Sequence, residues 1–359
     1  MSIRDIAKRA GVSPATVSRV LNDPTHHCSS EGLRDRIWQI AREMNYLPNE
    51  AARNLKMGAS AAPIAPGRID VIVTRTSRRQ PDPFFSEVLR VIESETHAQR
   101  LLILHVWYLS ALSGHRPMGA GVTERELAGV IGSGVRRGDG LIVIGKCATP
   151  ILERLRDAYG GNVMAVGRNS TGYVTDEVIC DGEKIARVAV GHLIGLGHRE
   201  IGYVGDCHNE SRYRGYQRTL VAHGLDVAVA NVVECEHTEA AGYAAMGELM
   251  RRDDAPTALF CATDAIAVGV LRRMGESGGM YYSPSVISSD DIEQAQLMNP
   301  ALTTVALPKV DMGRFAVRML ADRMAGGHTA TARLELGVRL IVRASCSSPD
   351  NARGFTYVI

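Results

Sequence analysis

Residues 10–14, Ala-Gly-Val-Ser-Pro, place a helix stop and a helix start within three residues, and few folds accommodate that. Gly11 suits the left-handed residue just past a helix C-terminus, and Ser13 followed by Pro14 is an N-cap followed by the residue best suited to the first helical position. Upstream, Ser2 and Asp5 have capping-box spacing, and Ile6, Ala7 and Ala10 form a small apolar stripe. Downstream, a helix from Pro14 turns Val17, Val20 and Leu21 inward and leaves Ala15, Thr16, Ser18, Arg19 and Asn22 outward. Two helices this short cannot bury a core alone. Residues 29–46 supply the missing partner, with Leu33, Ile37, Ile40 and Met44 spaced by four, three and four. The pattern predicts a three-helix unit built on a helix-turn-helix, whose short polar side chains beside an Arg suit a DNA major groove.

At 359 residues the chain is long enough for two or three domains. Its net charge is only +2, but residues 1–58 carry nine Lys and Arg against six Asp and Glu, so the N-terminal piece holds +3 and the remainder −1. That local excess serves phosphate contacts without the strong basicity of a nonspecific nucleic-acid coat. Seven cysteines, at 28, 147, 180, 207, 235, 261 and 346, are odd in number and form no CxxC pair, which fits a reducing cytosol. The first helix carries Arg4, Asp5, Lys8 and Arg9 where a signal peptide needs an apolar core, and no run approaches a membrane span. The expectation is a cytoplasmic protein that does not engage a membrane.

Residues 48–58, PNEAARNLKMG, read as a helix of about two turns, capped by Asn49 and stopped by Gly58. Helices below roughly 12 to 15 residues are marginal in water, so this one should order only against a partner. Residues 59–67, ASAAPIAPG, are a linker by composition. From residue 68 onward apolar strand-like runs (69–73, 101–106, 141–144, 163–166, 201–204, 258–261, 286–288) alternate with helical patterns (84–99, 124–131, 151–159, 185–194, 213–222, 240–250, 265–274, 310–324). Such alternation predicts doubly wound parallel sheets, and its length exceeds what one sheet normally uses. Ligands in such lobes bind beyond the carboxyl ends of strands, where Arg212, Thr263, Asp264 and Asp290 fall.

The string GVSPATVSRVLN resembles the N-terminus of the lactose-repressor (LacI) family of bacterial transcription regulators, and DPFFSEVLRVIE, HLIGLGHREIGYVG, ESRYRGYQRTL, ATDAIAVGVLRRM and LTTVALPKVDMG extend the resemblance over most of 68–345. It implies a small all-α helix-turn-helix domain (1–47), a hinge helix (48–58), a linker (59–67) and a periplasmic-binding-protein-like core (68–345) of two α/β lobes, followed by a tail (346–359). The family's core crosses between lobes three times, so the N-lobe is expected near 68–179 and 305–327 and the C-lobe near 180–304 and 328–345. DNA contacts are expected from Ser13, Pro14, Ala15, Thr16, Ser18, Arg19 and Asn22. Hinge contacts are expected from Asn49, Ala52, Arg53, Leu55 and Lys56, with Leu55 as the apolar wedge that opens a base step in the minor groove. In the family, positions matching Arg212, Thr263 and Asp290 line an effector cleft, and Phe84 and Phe85 match an aromatic pair that covers a sugar face or stacks on a base. Where the family often has an acidic residue, this chain has Gly167 with Arg168 beside it.

Enzyme motifs are poor. Gly132, Gly134 and Gly138 miss the dinucleotide fingerprint and follow a helical stretch, and no Walker loop, serine elbow or HExxH occurs. His26, His27 and Cys28 lack a fourth ligand at metal spacing. The expectation is therefore no catalysis, no cofactor and no metal. The reading is a homodimeric repressor of a carbohydrate-use operon, bound to a near-palindromic operator and controlled by a sugar-like effector. A sugar-binding transport protein and a nucleobase-responsive regulator are the alternatives. The tail has no heptad pattern, so a tetramer-forming coiled coil is not expected.

Overall fold

The computed structural model describes residues 3–22, 32–44, 67–74, 82–113, 120–132, 134–208, 210–276 and 282–349. The chain divides into two compact units, 1–65 and 66–359. In the first, α1 (Ile3–Ala10), α2 (Pro14–Asn22) and α3 (Leu33–Glu43) pack around Ile6, Ala7, Ala10, Val17, Val20, Ile37, Ile40 and Ala41, all buried. The turn forms as the residues dictate. Gly11 sits at φ +70°, the Val12 amide donates to the Ala7 carbonyl at 3.1 Å, and the Thr16 amide donates to Ser13 Oγ at 3.1 Å. Arg9 and Glu43 add an exposed ion pair at 3.1 Å, worth at most about 1 kcal/mol. The expected hinge and all but Gly67 of the linker lie outside the described residues.

The second unit holds two six-stranded sheets, each strand run flanked by helices. The first has the order β11-β5-β4-β3-β1-β2, from β1 (Gly67–Val73), β2 (Leu101–Tyr108), β3 (Gly140–Ile144), β4 (Val163–Gly167), β5 (Asp176–Ile179) and β11 (Arg333–Glu335). Its two faces follow the period-two alternation of its strands. Ile69, Val71, Val73, Ile142 and Ile144 point toward α4 (Pro83–Ala98) and α12 (Lys309–Met324), whereas Ile72, Leu141 and Val143 meet α5 (Ala120–Ile131) and α6 (Thr149–Ala158). The second sheet, β12-β10-β9-β8-β6-β7, is built from β6 (Ile201–Gly205), β7 (Val232–Glu234), β8 (Ala258–Cys261), β9 (Ser285–Asp290), β10 (Thr303–Ala306) and β12 (Arg339–Ile341). It is parallel except for β12, which pairs antiparallel with β10. α7 (Gly182–Gly195), α8 (Ser211–Ala222), α9 (Glu239–Leu249), α10 (Asp264–Glu276) and the short α11 (Glu293–Leu297) belong to this lobe.

Three strand-level crossings join the lobes: after β5, after β10 and between β11 and β12. The last corrects the expected boundary at 327/328. Residues 333–335 hydrogen bond beside β5 in the first sheet, so that strand belongs to the N-lobe and the crossing falls at 336–338. The second boundary also moves slightly, since β10 runs to Ala306 within the C-lobe sheet. At the first crossing the starts of α7 and α8 touch so closely that a Cβ on Gly182 would lie 2.0 Å from Ser211 Oγ.

β5 has the sequence Asp-Glu-Val-Ile and is buried throughout. Asp176 accepts from Arg323 Nη2 at 2.7 Å, His328 Nε2 at 2.8 Å and the Ala332 amide at 2.7 Å, and Glu177 pairs with Arg333. Burial alone would push the Asp176 pKa up, but the guanidinium, amide and imidazole donors outweigh it and hold the carboxyl below its ordinary value. No described helix is long and apolar enough to cross a membrane.

Candidate functional site: an interlobe cleft and a recognition helix

The carboxyl ends of the two sheets bring five of the expected cleft residues together. Arg168 follows β4 in the N-lobe and Asp290 ends β9 in the C-lobe, and their side chains form an ion pair with 3% and 2% of their surfaces exposed. The Arg168 guanidinium lies over the Phe84 ring at 4.0 Å from the centroid and 5.3 Å from that of Phe85. The two rings are edge-to-face at 5.3 Å, positioned because Asp82 caps α4 through the amides of both residues. This platform supports the cation from below.

Asp290 is held at φ +132°, a conformation that costs on the order of 1 to 3 kcal/mol for a residue with a side chain. Burial pushes its pKa up to about 6 against the pull of Arg168 and Arg212. Arg212, one residue inside α8, is fully buried. Its Nε donates to Glu210 at 2.9 Å, Nη1 donates to the Ala262 carbonyl, and Nη2 has no hydrogen-bond partner. Burial opposes the Arg212 charge, yet the Glu210 carboxylate more than restores it and raises the pKa. A buried guanidinium N–H left open costs about 1 to 3 kcal/mol, or more because the group is charged.

Thr263 and Asp264 have other work. Thr263 Oγ1 accepts a long bond from the Ile266 amide at 3.4 Å, at the start of α10. The Asp264 carboxylate takes the Ser288 and Thr304 hydroxyls, at 2.5 and 2.6 Å, and the Ile292 amide at 2.8 Å. Burial and the nearby Asp290 charge raise its pKa to about 7. Asp264 was expected at the cleft; three bonds within its own lobe direct its carboxylate into the β9–β10 packing. Contacts with little sequence signal stitch the lobes instead. The Ser211 amide donates to Asn169 Oδ1 at 3.1 Å, Lys146 Nζ donates to the His208 carbonyl at 3.0 Å, and Lys309 Nζ bridges Glu87 and the Asp291 carbonyl at 2.7 Å each.

On the helix-turn-helix, Ser13, Pro14, Ala15 and Arg19 are exposed and Thr16 and Ser18 half-buried, opposite the core-facing Val17 and Val20. Asn22 ends α2, and its side chain lies outside the described set, as do Asn49, Ala52, Arg53, Leu55 and Lys56. The N-terminal unit thus presents a polar, cation-bearing helix face, and the two lobes of the second unit meet through a buried Arg–Asp pair.

Two family models match the chain: the lacI family of bacterial regulatory proteins over residues 2–49 and a periplasmic-binding-protein-like domain over 190–346. The HTH-type transcriptional repressor PurR of Proteus mirabilis is 28% identical over 351 residues, covering 96% of each chain. A LacI-family regulator from Lactobacillus casei with bound sucrose superposes with a TM-score of 0.64 at 25% identity, over 78% of this chain and all of that one. The lac repressor dimer bound to operator and the anti-inducer ONPF gives 0.63 at 23%, over 97% and 99%. Residues 2–49 thus match a lacI-type helix-turn-helix domain and residues 190–346 a periplasmic-binding-protein-like domain, and the chain resembles HTH-type transcriptional repressors over nearly its whole length.

Proposed function

We propose that this regulator is a homodimeric repressor of a carbohydrate-use operon, in which a sugar or sugar derivative bound between the lobes controls operator affinity. The observation that carries the reading is the pair of charged groups at the cleft. The open Nη2 of buried Arg212 offers a donor, and Asp290 offers a strained acceptor, which together suit the vicinal hydroxyls of a sugar with charge-assisted hydrogen bonds. The Phe84 and Phe85 rings add an apolar surface for a sugar face. The sucrose-bound relative favours a sugar over a nucleobase.

In this reading Arg168 is a built-in occupant of the site. A ligand that bonds Asp290 displaces or joins the guanidinium that now spans the lobes, so ligation changes how the lobes are held together. Ser13, Pro14, Ala15, Thr16, Ser18, Arg19 and Asn22 read a half-site in the major groove, and Asn49, Ala52, Arg53, Leu55 and Lys56 contact the minor groove at the operator centre. A near-palindromic site matches a twofold dimer.

The test is a melting-temperature screen of the full chain against sugars and nucleobases. A ligand at 100 times its dissociation constant should stabilise by about 2.7 kcal/mol. Asp290→Asn and Arg212→Ala should abolish the shift while leaving operator binding in a gel shift near wild type. Full retention of the shift in both variants places the effector elsewhere.

A further inference from the structure

A second constellation lies on the outer edge of the C-lobe sheet, where β6 and β7 run parallel with Gly205 opposite Glu234. Asp206, Cys207, His208 and Glu210 follow β6, and Cys235, Glu236 and His237 follow Glu234 at the end of β7. Parallel pairing brings both stretches to the same side. Two sets of three metal-ligating side chains share Asp206: one with His208 and Glu234, the other with Glu210 and His237. In each set the ligand atoms lie within 4.8 Å of one another. Asp206 and Glu210 are fully buried, His237 is half-buried, and His208 and Glu234 are exposed.

The donors are two imidazoles and three carboxylates, a borderline nitrogen and oxygen set suited to first-row divalent ions. Neither Cys207 nor Cys235 belongs to either set. Crowded carboxylates repel one another unless a cation lies among them. Positive groups beside the cluster include Arg212, whose Nε is held by Glu210, Lys146, whose ammonium bonds the His208 carbonyl, and, when protonated, His208 itself, whose Nδ1 lies 2.7 Å from Glu234 and 4.0 Å from Asp206. The exposed side of the cluster leaves an ion a route in from solvent.

We propose that the side chains gathered where β6 and β7 end form a binding site for one divalent transition-metal ion, with Asp206, Glu210 and His237 as donors and the second set, His208 and Glu234, closing it from the solvent side. Sequence inspection misses such a site because its donors come from two strand ends that only the β6–β7 pairing makes neighbours.

The experiment is a Zn2+ titration of the full chain after chelator treatment, read by calorimetry, for wild type, His208→Ala/His237→Ala, Glu234→Gln and Cys207→Ser/Cys235→Ser. His208→Ala/His237→Ala should lose one Zn2+ equivalent per chain or bind it more than about tenfold more weakly, since even partners outside the inner ligand set are worth that much. Glu234→Gln, a change at an exposed position that leaves the fold intact, should weaken the same site, and the cysteine double variant should bind as wild type. Circular dichroism confirms that each variant is folded. Wild-type stoichiometry and affinity in both the histidine variant and Glu234→Gln overturns the assignment. So does binding that disappears only when the cysteines are replaced, or no Zn2+ uptake by wild type at all.

Discussion

Replacing Arg168 by Met tests how the cleft is held together, because the Asp290 partner has a titration that reports on it. In the wild type burial raises the Asp290 pKa from 3.8 to about 6, with Arg168 and Arg212 pulling the other way. Keeping that carboxylate ionised at neutral pH therefore costs about 3 kcal/mol relative to the unfolded chain, at about 1.4 kcal/mol per unit. Arg168→Met keeps an apolar stem over the Phe84 ring and removes the cation, so the Asp290 pKa climbs further. The sign follows from linkage. A carboxyl raised in the folded state binds more protons folded than unfolded, so stability falls as pH rises through the window between the two values and levels off above the folded pKa. Wild type has levelled off by about pH 7, whereas the variant continues to lose about 1.4 kcal/mol per pH unit up to its own Asp290 pKa. The gap between them should be small at pH 5 and at least about 1 kcal/mol wider at pH 8 than at pH 6, approaching the roughly 3 to 5 kcal/mol typical of a buried pair broken on one side. Urea unfolding followed by Trp107 fluorescence in a Trp38→Phe background isolates the N-lobe strand β2 from the chain's second Trp. Asp290→Asn added to Arg168→Met should remove the pH dependence and recover part of the loss. A gap that stays constant from pH 6 to 8, or a double variant as pH-sensitive as the single one, would falsify the account of a buried cross-lobe ion pair.

Swapping the exposed pair Pro14 and Ala15 should change operator preference while stabilisation by any ligand found in the melting screen stays at its wild-type value; unaltered ranking across a randomised operator library would count against that face as the reader. Gly182→Ala forces a Cβ to 2.0 Å from Ser211 Oγ and should cost about 1 to 3 kcal/mol of core stability, measured by the same unfolding assay. The His328 pKa is raised by Asp322 and Asp176, so its contribution is present below the ordinary histidine range and disappears as pH rises through the folded value. His328→Gln should therefore be more destabilising at pH 6 than at pH 9, and the reverse order would show that its carboxylate contacts do not set that pKa.

The recognition unit was legible in the chain because its determinants are local. A glycine stop, a Ser-Pro start and an apolar stripe of helical period act within a few residues, and the observed cap, turn and buried set follow from them. The alternating strands and helices of the lobes were equally visible wherever a strand was wholly apolar, as in β3 and β4. β5 was not, since Asp176 and Glu177 break the apolar pattern and become buried only when Arg323, His328 and Arg333, roughly 150 residues away, neutralise them. The third crossing is not legible in the sequence for a similar reason: a three-residue strand such as β11 has too little pattern of its own, and the neighbour it pairs with decides its lobe. Asp264 and Asp290 look alike in sequence, each beyond the end of an apolar strand run. What separates them is tertiary: three donors converge on Asp264 within its own lobe, while the strained backbone of Asp290 aims its carboxylate across the cleft at Arg168. A carboxylate's role depends on which cations and donors surround it, and that set is assembled only when distant strands pair.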